Sequence, residues 1–424
     1  MSLAHGLLLH DQGKLDEAEK AYREHLSSEP NDDYAHSRLA LCLLEQEGRK
    51  KEALKEIDAA IGLEPEHDYY HGVKSIILAQ LNKGKQALES ADRAIALNPD
   101  GSFNHTAKAS AFADLMRWSE AETSCRKALS LDSDNGFAKN LLASVLQAQG
   151  KSVESEMAVD QLLADDPESS LAHTNAGWAA LRRHDYKNAE IHFREALRLD
   201  PEYDPARDGL LESFKARSAF YRVYLRYTFF MARFTEGKQW IFIIGIYLIY
   251  QFGRHALRQI HPFASGAFIC LYLGFVTWVW LAPGIGNFLV MLDRSARFAL
   301  KKGEKLSGIF VGGGLLLGLG SVIGGLIANS TPPILAGMGL VVSTIPASLT
   351  FGNPSKKGRF VFGGVLAFVY LATVGVTLAE IANPTVSMED MNPMIGLLGL
   401  PALIAALLCT WFGNISSLRE DDSG

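Results

Sequence analysis

Prolines recur in the first half of this chain at a nearly constant spacing. They stand at Pro30, Pro65, Pro99, Pro167 and Pro201, with Ser133 at the one position that the pattern skips. A period of about 34 residues predicts stacked pairs of helices, because a unit of this length is one helical hairpin that buries its apolar faces only against neighbouring hairpins. The period ends near residue 205, so the architecture must change there.

Small residues return with the same period. Twelve residues before the proline position stand Ala18, Ala53, Ala87, Ala121, Ser155 and Ala189, and five residues before it stand Ala60, Ala94, Ala128 and Ala196. Small side chains at such positions let two helices approach closely. The turns between paired helices are expected at the glycines Gly13, Gly48, Gly84 and Gly150. This pattern resembles the tetratricopeptide repeat, in six units over residues 1–204.

The resemblance implies an α-solenoid whose concave face binds extended peptides. One large apolar residue recurs near the start of the first helix in successive units, at Tyr34, Tyr69, Phe103, Phe137 and Leu171, and predicts an apolar ladder in that groove. Polar contacts to a peptide are expected from Arg38, Asn104, Lys108, Lys139, Asn140 and Asn175. The competing interpretations are that the ladder residues seal each helix against the preceding turn and that the polar residues form a solvated face. The polar set does not reproduce the clamp of chaperone-binding family members.

The second half of the chain is apolar and poor in charge. No Asp, Glu, Lys or Arg occurs between Ser307 and Ser355. A helix needs about 20 mainly apolar residues to cross the hydrocarbon core of a bilayer. Stretches of this kind occupy residues 240–257, 262–282, 306–328, 334–351, 360–382 and 394–413. We therefore predict an all-α chain, in which the solenoid is followed by a polytopic bundle of about six transmembrane helices over residues 239–413.

Loop charges predict the topology, because short cytoplasmic loops accumulate Lys and Arg. The loop after the second span contains Arg294, Arg297, Lys301, Lys302 and Lys305. The loop after the fourth span contains Lys356, Lys357 and Arg359, and the carboxy-terminal tail contains Arg419. The loop that begins at Asn329 and the loop with Glu389 and Asp390 contain no Lys or Arg. We expect the solenoid and the tail, residues 414–424, to be cytoplasmic, in a protein of the bacterial inner membrane.

The joint between the halves, residues 205–238, mixes basic and aromatic residues at helical spacing. Its first part is expected to cap the last repeat, and its second part to lie on the membrane surface as an amphipathic helix. The alternative is a solvated cap alone. A second surface helix is predicted near 287–305. The cations assigned to lipid headgroups are Arg217, Arg222, Arg226, Arg233, Arg294, Arg297, Lys301 and Lys302.

The third span, residues 308–325, is rich in glycine. Pairs spaced four apart, such as Gly308 with Gly312, Gly314 with Gly318 and Gly320 with Gly324, let helices pack closely in lipid. The pattern predicts either packing within the bundle or a homo-oligomer interface.

No reaction is indicated by the sequence. The four cysteines, Cys42, Cys125, Cys270 and Cys409, have no metal-ligand spacing, and no nucleotide-binding, zinc-protease or calcium-loop motif is found. The repeats carry no basic stripe of the kind that binds nucleic acid. We expect a chain without enzymatic activity, metal or cofactor, and without a nucleic-acid partner.

Two functions fit these patterns. The first is a membrane-anchored scaffold or adaptor whose cytoplasmic groove binds protein or peptide partners. The alternative is a transporter or channel for a neutral or lipidic substrate, gated by the repeat domain. A polar pathway through residues 306–413 would favour the alternative.

Overall fold

The protein is described from a computed structural model that covers residues 3–46, 48–234, 236–260, 262–384 and 393–413, with residues 415 and 418. These residues are helical outside turns and short connections, and none of them forms a strand. The all-α prediction is confirmed. The chain divides into two compact units, one of residues 1–209 with 229–239, and one of residues 210–228 with 240–422.

The first unit is a solenoid of helical hairpins. Its helices are α1 (Leu3–Asp11), α2 (Leu15–Ser28), α3 (Asp33–Glu45), α4 (Lys50–Leu63), α5 (Asp68–Gln80), α6 (Gly84–Leu97), α7 (Ser102–Asp114), α8 (Trp118–Leu131), α9 (Gly136–Gln149), α10 (Ser152–Asp165), α11 (Ser170–Arg182) and α12 (Tyr186–Leu199). Odd-numbered helices are the first members of the hairpins. The recurring prolines lie in the turns that join one hairpin to the next.

The turn inside each hairpin contains one residue in the left-handed region. This residue recurs every 34 or 35 positions, at Gly13, Gly48, Asn82, Met116, Gly150 and His184. The expectation for Gly13, Gly48 and Gly150 is confirmed, but Gly84 is the first residue of α6. Gly84 is small for a different reason, because a Cβ there would lie 2.6 Å from the side chains of Asp114 and Leu115.

The small periodic residues lie where the helices touch. The alanines five and twelve residues before the proline positions are fully buried. Ser155, which replaces alanine in the fifth repeat, is also buried, and its hydroxyl oxygen has no hydrogen-bond partner. A long or branched side chain at these positions would separate the paired helices.

The joint forms two helices, α13 (Asp204–Lys215) and α14 (Ala219–Met231). Within the second unit, the tyrosine rings of α14 pack on Trp278, with ring centroids 6.0 Å away for Tyr224 and 6.2 Å for Tyr227. Tyr221 and Leu225 of the same helix are buried. Aromatic rings of this kind favour the interface between lipid and water.

The second unit contains the long apolar helices. Four of them are single helices: α15 (Glu236–Ile260), α16 (Pro262–Leu292), α19 (Thr331–Phe351) and α20 (Lys356–Ala382). A fifth segment consists of α17 (Lys302–Gly308), a π-helical turn and α18 (Gly314–Ile327). The last consists of a π-helical turn at Ile395–Gly399 and α21 (Leu400–Phe412). Among the described residues, six helical segments are long and apolar enough to cross a membrane, as predicted. Glu389, Asp390 and Arg419 lie outside the described residues.

The structure differs from the expected surface helix at 287–305. Residues up to Leu292 extend α16, which continues through Pro283, and only a 3₁₀ turn, Arg297–Ala299, precedes α17. The helix is closely packed just after the proline, where a Cβ on Gly284 would lie 2.7 Å from Val311. Periodicity alone did not reveal this continuation.

The glycines of the third span face three directions. A Cβ on Gly312 would lie 2.2 Å from Phe288 of α16, and one on Gly318 would lie 2.8 Å from the carbonyl oxygen of Gly337 in α19. A Cβ on Gly320 or Gly324 would meet nothing within 4 Å. Packing within the bundle therefore accounts for the first two faces, and the homo-oligomer interface stays a prediction for the third.

Candidate functional site

The predicted ladder residues share one structural position. Each is the second residue of the first helix of its hairpin, in α3, α5, α7, α9 and α11. Tyr34, Phe137 and Leu171 are exposed, with 44%, 40% and 36% of their surface accessible. These three side chains are therefore accessible to a partner.

Two ladder residues pack against each other. The rings of Tyr69 and Phe103 have centroids 4.9 Å apart, and both side chains pack on the buried core of the first repeats. Phe103 lies over Gly72, where a Cβ would approach its ring to 2.8 Å. Packing within the solenoid therefore accounts for Tyr69 and Phe103. A role in peptide binding stays a prediction for the three exposed residues.

Arg38 lies among tyrosines beside the ladder. Its guanidinium lies near the hydroxyl groups of Tyr22, Tyr34 and Tyr69. Burial raises the pKa of Tyr22, which keeps that phenol neutral. The buried Nε of Arg38 has no hydrogen-bond partner. That nitrogen is enclosed, but the residue as a whole is partly exposed, so Arg38 stays a candidate for a polar contact to a ligand.

The other polar candidates are used within the solenoid. Asn104 is only 1% exposed, and its amide donates to Asp68 over 2.7 Å and to the carbonyl oxygen of Ala94 over 3.3 Å. It cannot reach a peptide, and its assignment to the groove is corrected. Lys108 forms an ion pair with Asp92 at 2.7 Å.

Lys139, Asn140 and Asn175 also have partners of their own. The ammonium of Lys139 donates to Asp165 over 2.6 Å, and the Asn175 amide donates to Asn140 over 2.9 Å. Asn175 is buried. The Lys139 contact joins the two helices of one hairpin, and the Asn175 contact joins two neighbouring hairpins. Arg38 is therefore the stronger ligand candidate of the polar set.

A recurring histidine was missed by the sequence interpretation. His36, His71, His105 and His173 each hydrogen-bond through Nε2 to the carbonyl oxygen of the proline six residues earlier, over 3.2, 2.8, 2.8 and 3.0 Å. The histidines repeat with the same spacing as the prolines, which was a detectable signal. They fasten the turn between hairpins and do not form a site.

One group of side chains could hold a metal ion. Ligand atoms of His25, Glu29 and Asp32 lie within 4.8 Å of one another. Asp32 also accepts a hydrogen bond from the backbone of Ala35, as the N-cap of α3, and His25 lies 2.7 Å from its other oxygen. These contacts are those of an ordinary helix cap, which explains the group without a metal.

The cations assigned to headgroups occupy different surroundings. Arg217 forms an ion pair with Asp293, and Arg222 donates to the carbonyl oxygens of Ala216 and Arg217. Exposed cations are Arg226, Arg294, Arg297, Lys301 and Lys302. Arg233 belongs to the first unit, where its guanidinium lies beside Gly150.

Comparison with known proteins identifies the repeat. Residues 9–77 and 140–204 match family models described as tetratricopeptide repeat. The solenoid is a tetratricopeptide repeat domain. No curated protein matches the chain.

Solved structures similar to the tetratricopeptide domain come from several bacteria. A tetratricopeptide repeat protein from Parabacteroides merdae is 17% identical, over 49% of this chain and 81% of that one, with a TM-score of 0.44. A thermophilic tetratricopeptide protein of Thermus thermophilus is 17% identical, over 43% and 98%, with a TM-score of 0.40. PilF of Pseudomonas aeruginosa is 17% identical, over 49% and 93%, with a TM-score of 0.36.

Proposed function

We propose that this chain is a membrane-anchored adaptor whose tetratricopeptide domain binds an extended peptide segment of a partner protein. The observation that carries the proposal is the exposure of Tyr34, Phe137 and Leu171 at one repeated helix position. Apolar side chains of an extended peptide would fill the spaces between them. Aromatic anchors of this kind commonly dominate the binding energy of an interface.

Arg38 supplies the polar contact at the amino-terminal end of the groove. Its guanidinium carries a positive charge beside the tyrosines, and the residue is partly exposed. A carbonyl or carboxylate oxygen of the peptide is the acceptor that suits it. The peptide is therefore expected to place an acceptor near Tyr34.

The six apolar helices are the proposed membrane anchor. Lys301, Lys302, Lys356 and Lys357 lie at or beside the starts of α17 and α20, where the positive-inside tendency favours the cytoplasm. The same topology puts the tetratricopeptide domain in the cytoplasm of a bacterial cell.

Site-specific photo-crosslinking in the full chain tests the adaptor function. A photoreactive amino acid at Tyr34 or at Phe137 should crosslink to the same partner in membranes. The matched control is Met157 of α10, which is 68% exposed but lies on the second helix of its hairpin. An equal yield of the partner from Met157, or different partners at the two groove positions, would contradict peptide binding in the groove.

One observation favours the transporter alternative. The carboxyl of Glu380 is completely buried near the end of α20 and accepts a hydrogen bond from the hydroxyl of Thr331 over 2.6 Å. The buried hydroxyl oxygen of Thr377, three residues earlier, has no partner. Ionisable groups buried in membrane helices are costly and usually functional. Transport in proteoliposomes that Glu380→Gln abolishes, while leaving partner crosslinking intact, would establish this alternative.

A further inference from the structure

Two arginines of the first unit lie together without a carboxylate. Arg182 is the last residue of α11, and Arg233 follows α14. Arg233 lies beside Gly150, where a Cβ would approach its Cζ to 2.7 Å. Among the described residues, neither guanidinium takes part in an ion pair. This separates them from Arg183, the neighbour of Arg182, which is paired with Glu156.

The Arg182 side chain is held in place by neutral groups. One terminal nitrogen donates to the carbonyl oxygen of Gln147 over 2.9 Å, and the guanidinium stacks over the ring of Phe229 at 4.9 Å. The Nε is buried and has no hydrogen-bond partner. The contacts orient the guanidinium but leave a buried donor unused.

The electrostatics of the pair are unfavourable as they stand. Burial, and then the charge of Arg233, lower the pKa of Arg182 to about 10. A buried cation without a counter-ion costs free energy, and a second cation beside it raises that cost. An anion bound between the two guanidiniums would remove both penalties.

Arg233 is close in sequence to the first candidate membrane span. That span starts at Gln239, six residues after Arg233. The side-chain amide of Gln239 donates to the carbonyl oxygens of Met231 over 3.2 Å and Phe234 over 2.9 Å, on either side of Arg233. Phosphate is the anion that is concentrated at the ends of membrane spans.

We propose that Arg182 and Arg233 form a phosphate-binding site, filled by the headgroup of an anionic phospholipid or by free phosphate. Guanidinium groups match the oxygen geometry of phosphate with paired hydrogen bonds, and two of them balance the double charge of free phosphate or of a phosphomonoester such as phosphatidic acid. The site is separate from the peptide groove, and neither proposal depends on the other.

Thermal unfolding of the full chain in a neutral detergent tests the site. The melting temperature is compared in phosphate and in chloride at equal ionic strength, and with phosphatidic acid and with phosphatidylcholine of the same chain length. We expect stabilisation by phosphate, by phosphatidic acid or by both. The two comparisons show whether free phosphate or a lipid headgroup fills the site. Arg182→Met and Arg233→Gln should each weaken the apparent affinity at least about 10-fold. The matched control Arg183→Gln should leave it unchanged.

The melting temperatures of the two variants without phosphate show whether the arginines form a binding site or have a structural role. Removal of an uncompensated cation should leave the melting temperature in chloride unchanged or higher, whereas a mainly structural role, such as the hydrogen bond from Arg182 to Gln147, would lower it. No stabilisation of the parent by either phosphate source, equal stabilisation by acetate, or an undiminished response of Arg233→Gln would overturn the proposal. Arg233→Gln remains informative if Arg182→Met does not fold, because the Arg233 side chain is exposed.

Discussion

The left-handed turn position inside each hairpin predicts opposite effects for one substitution at two nearby sites. Gly48 occupies that position with a φ of 77°, whereas Gly62 lies in α4 with ordinary helical geometry. A Cβ added at either residue would meet nothing within 4 Å. Backbone conformation is therefore the main difference between Gly48→Ala and Gly62→Ala.

The magnitudes follow from the two conformations. A residue with a Cβ costs about 1–2 kcal/mol in the left-handed region, and the reduced freedom of the unfolded chain returns about 0.4–1 kcal/mol. Gly48→Ala should therefore destabilise its hairpin by about 1 kcal/mol. Gly62→Ala gains helix propensity and should stabilise the same hairpin by about 0.5–1 kcal/mol.

Hydrogen exchange of the full chain, read on peptides from α3 and α4, measures both changes locally. A change of about 1 kcal/mol alters the population of the open state about fivefold, so exchange should be faster in Gly48→Ala and slower in Gly62→Ala. Shifts of the same sign in the two variants would show that the turn geometry does not control the stability of this hairpin.

Three further predictions concern charge and the membrane. Burial raises the pKa of Glu122, but hydrogen bonds from neighbouring lysine, glutamine and arginine side chains outweigh it and lower this pKa from its usual 4.5 to about 2. The contribution of this carboxylate to the free energy of unfolding should be present above about pH 4.5 and be lost as the pH falls towards 2. Thermal melts of Glu122→Gln at acid pH should not show this loss. Cys270 is exposed on an apolar helix, so in membranes a lipid-soluble maleimide should label it and a charged maleimide should not. Cys125 should resist both reagents, because burial raises the pKa of its thiol to about 12. With the proposed topology, an impermeant thiol reagent outside the cell should label Ser330→Cys but not Lys356→Cys, and the reverse result would invert the orientation.

The sequence alone determined the local and periodic features of this protein. The proline spacing and the small residues at fixed offsets specify helical hairpins, because each unit repeats the same local geometry. The apolar stretches specify six long helices, since their length and composition suffice to predict them. The common register of the ladder from Tyr34 to Leu171 was visible for the same reason.

Tertiary structure decided which of the periodic residues are available to a partner. Tyr69 and Phe103 pack against each other, with Phe103 over Gly72, although their spacing matches that of the exposed residues. Asn104 turns inwards to Asp68. Periodicity specifies a helix face but not how far the neighbouring hairpin covers it. That coverage depends on the side chains of two units at once.

Contacts between distant residues were the least predictable. Thr331 and Glu380 are 49 positions apart, and Arg182 and Arg233 are 51 apart. No repeat or motif joins the members of either pair, because each meeting depends on the packing of separate helices. The sequence thus determined the helices and their periodic faces, and only helix packing decided which distant polar side chains would meet.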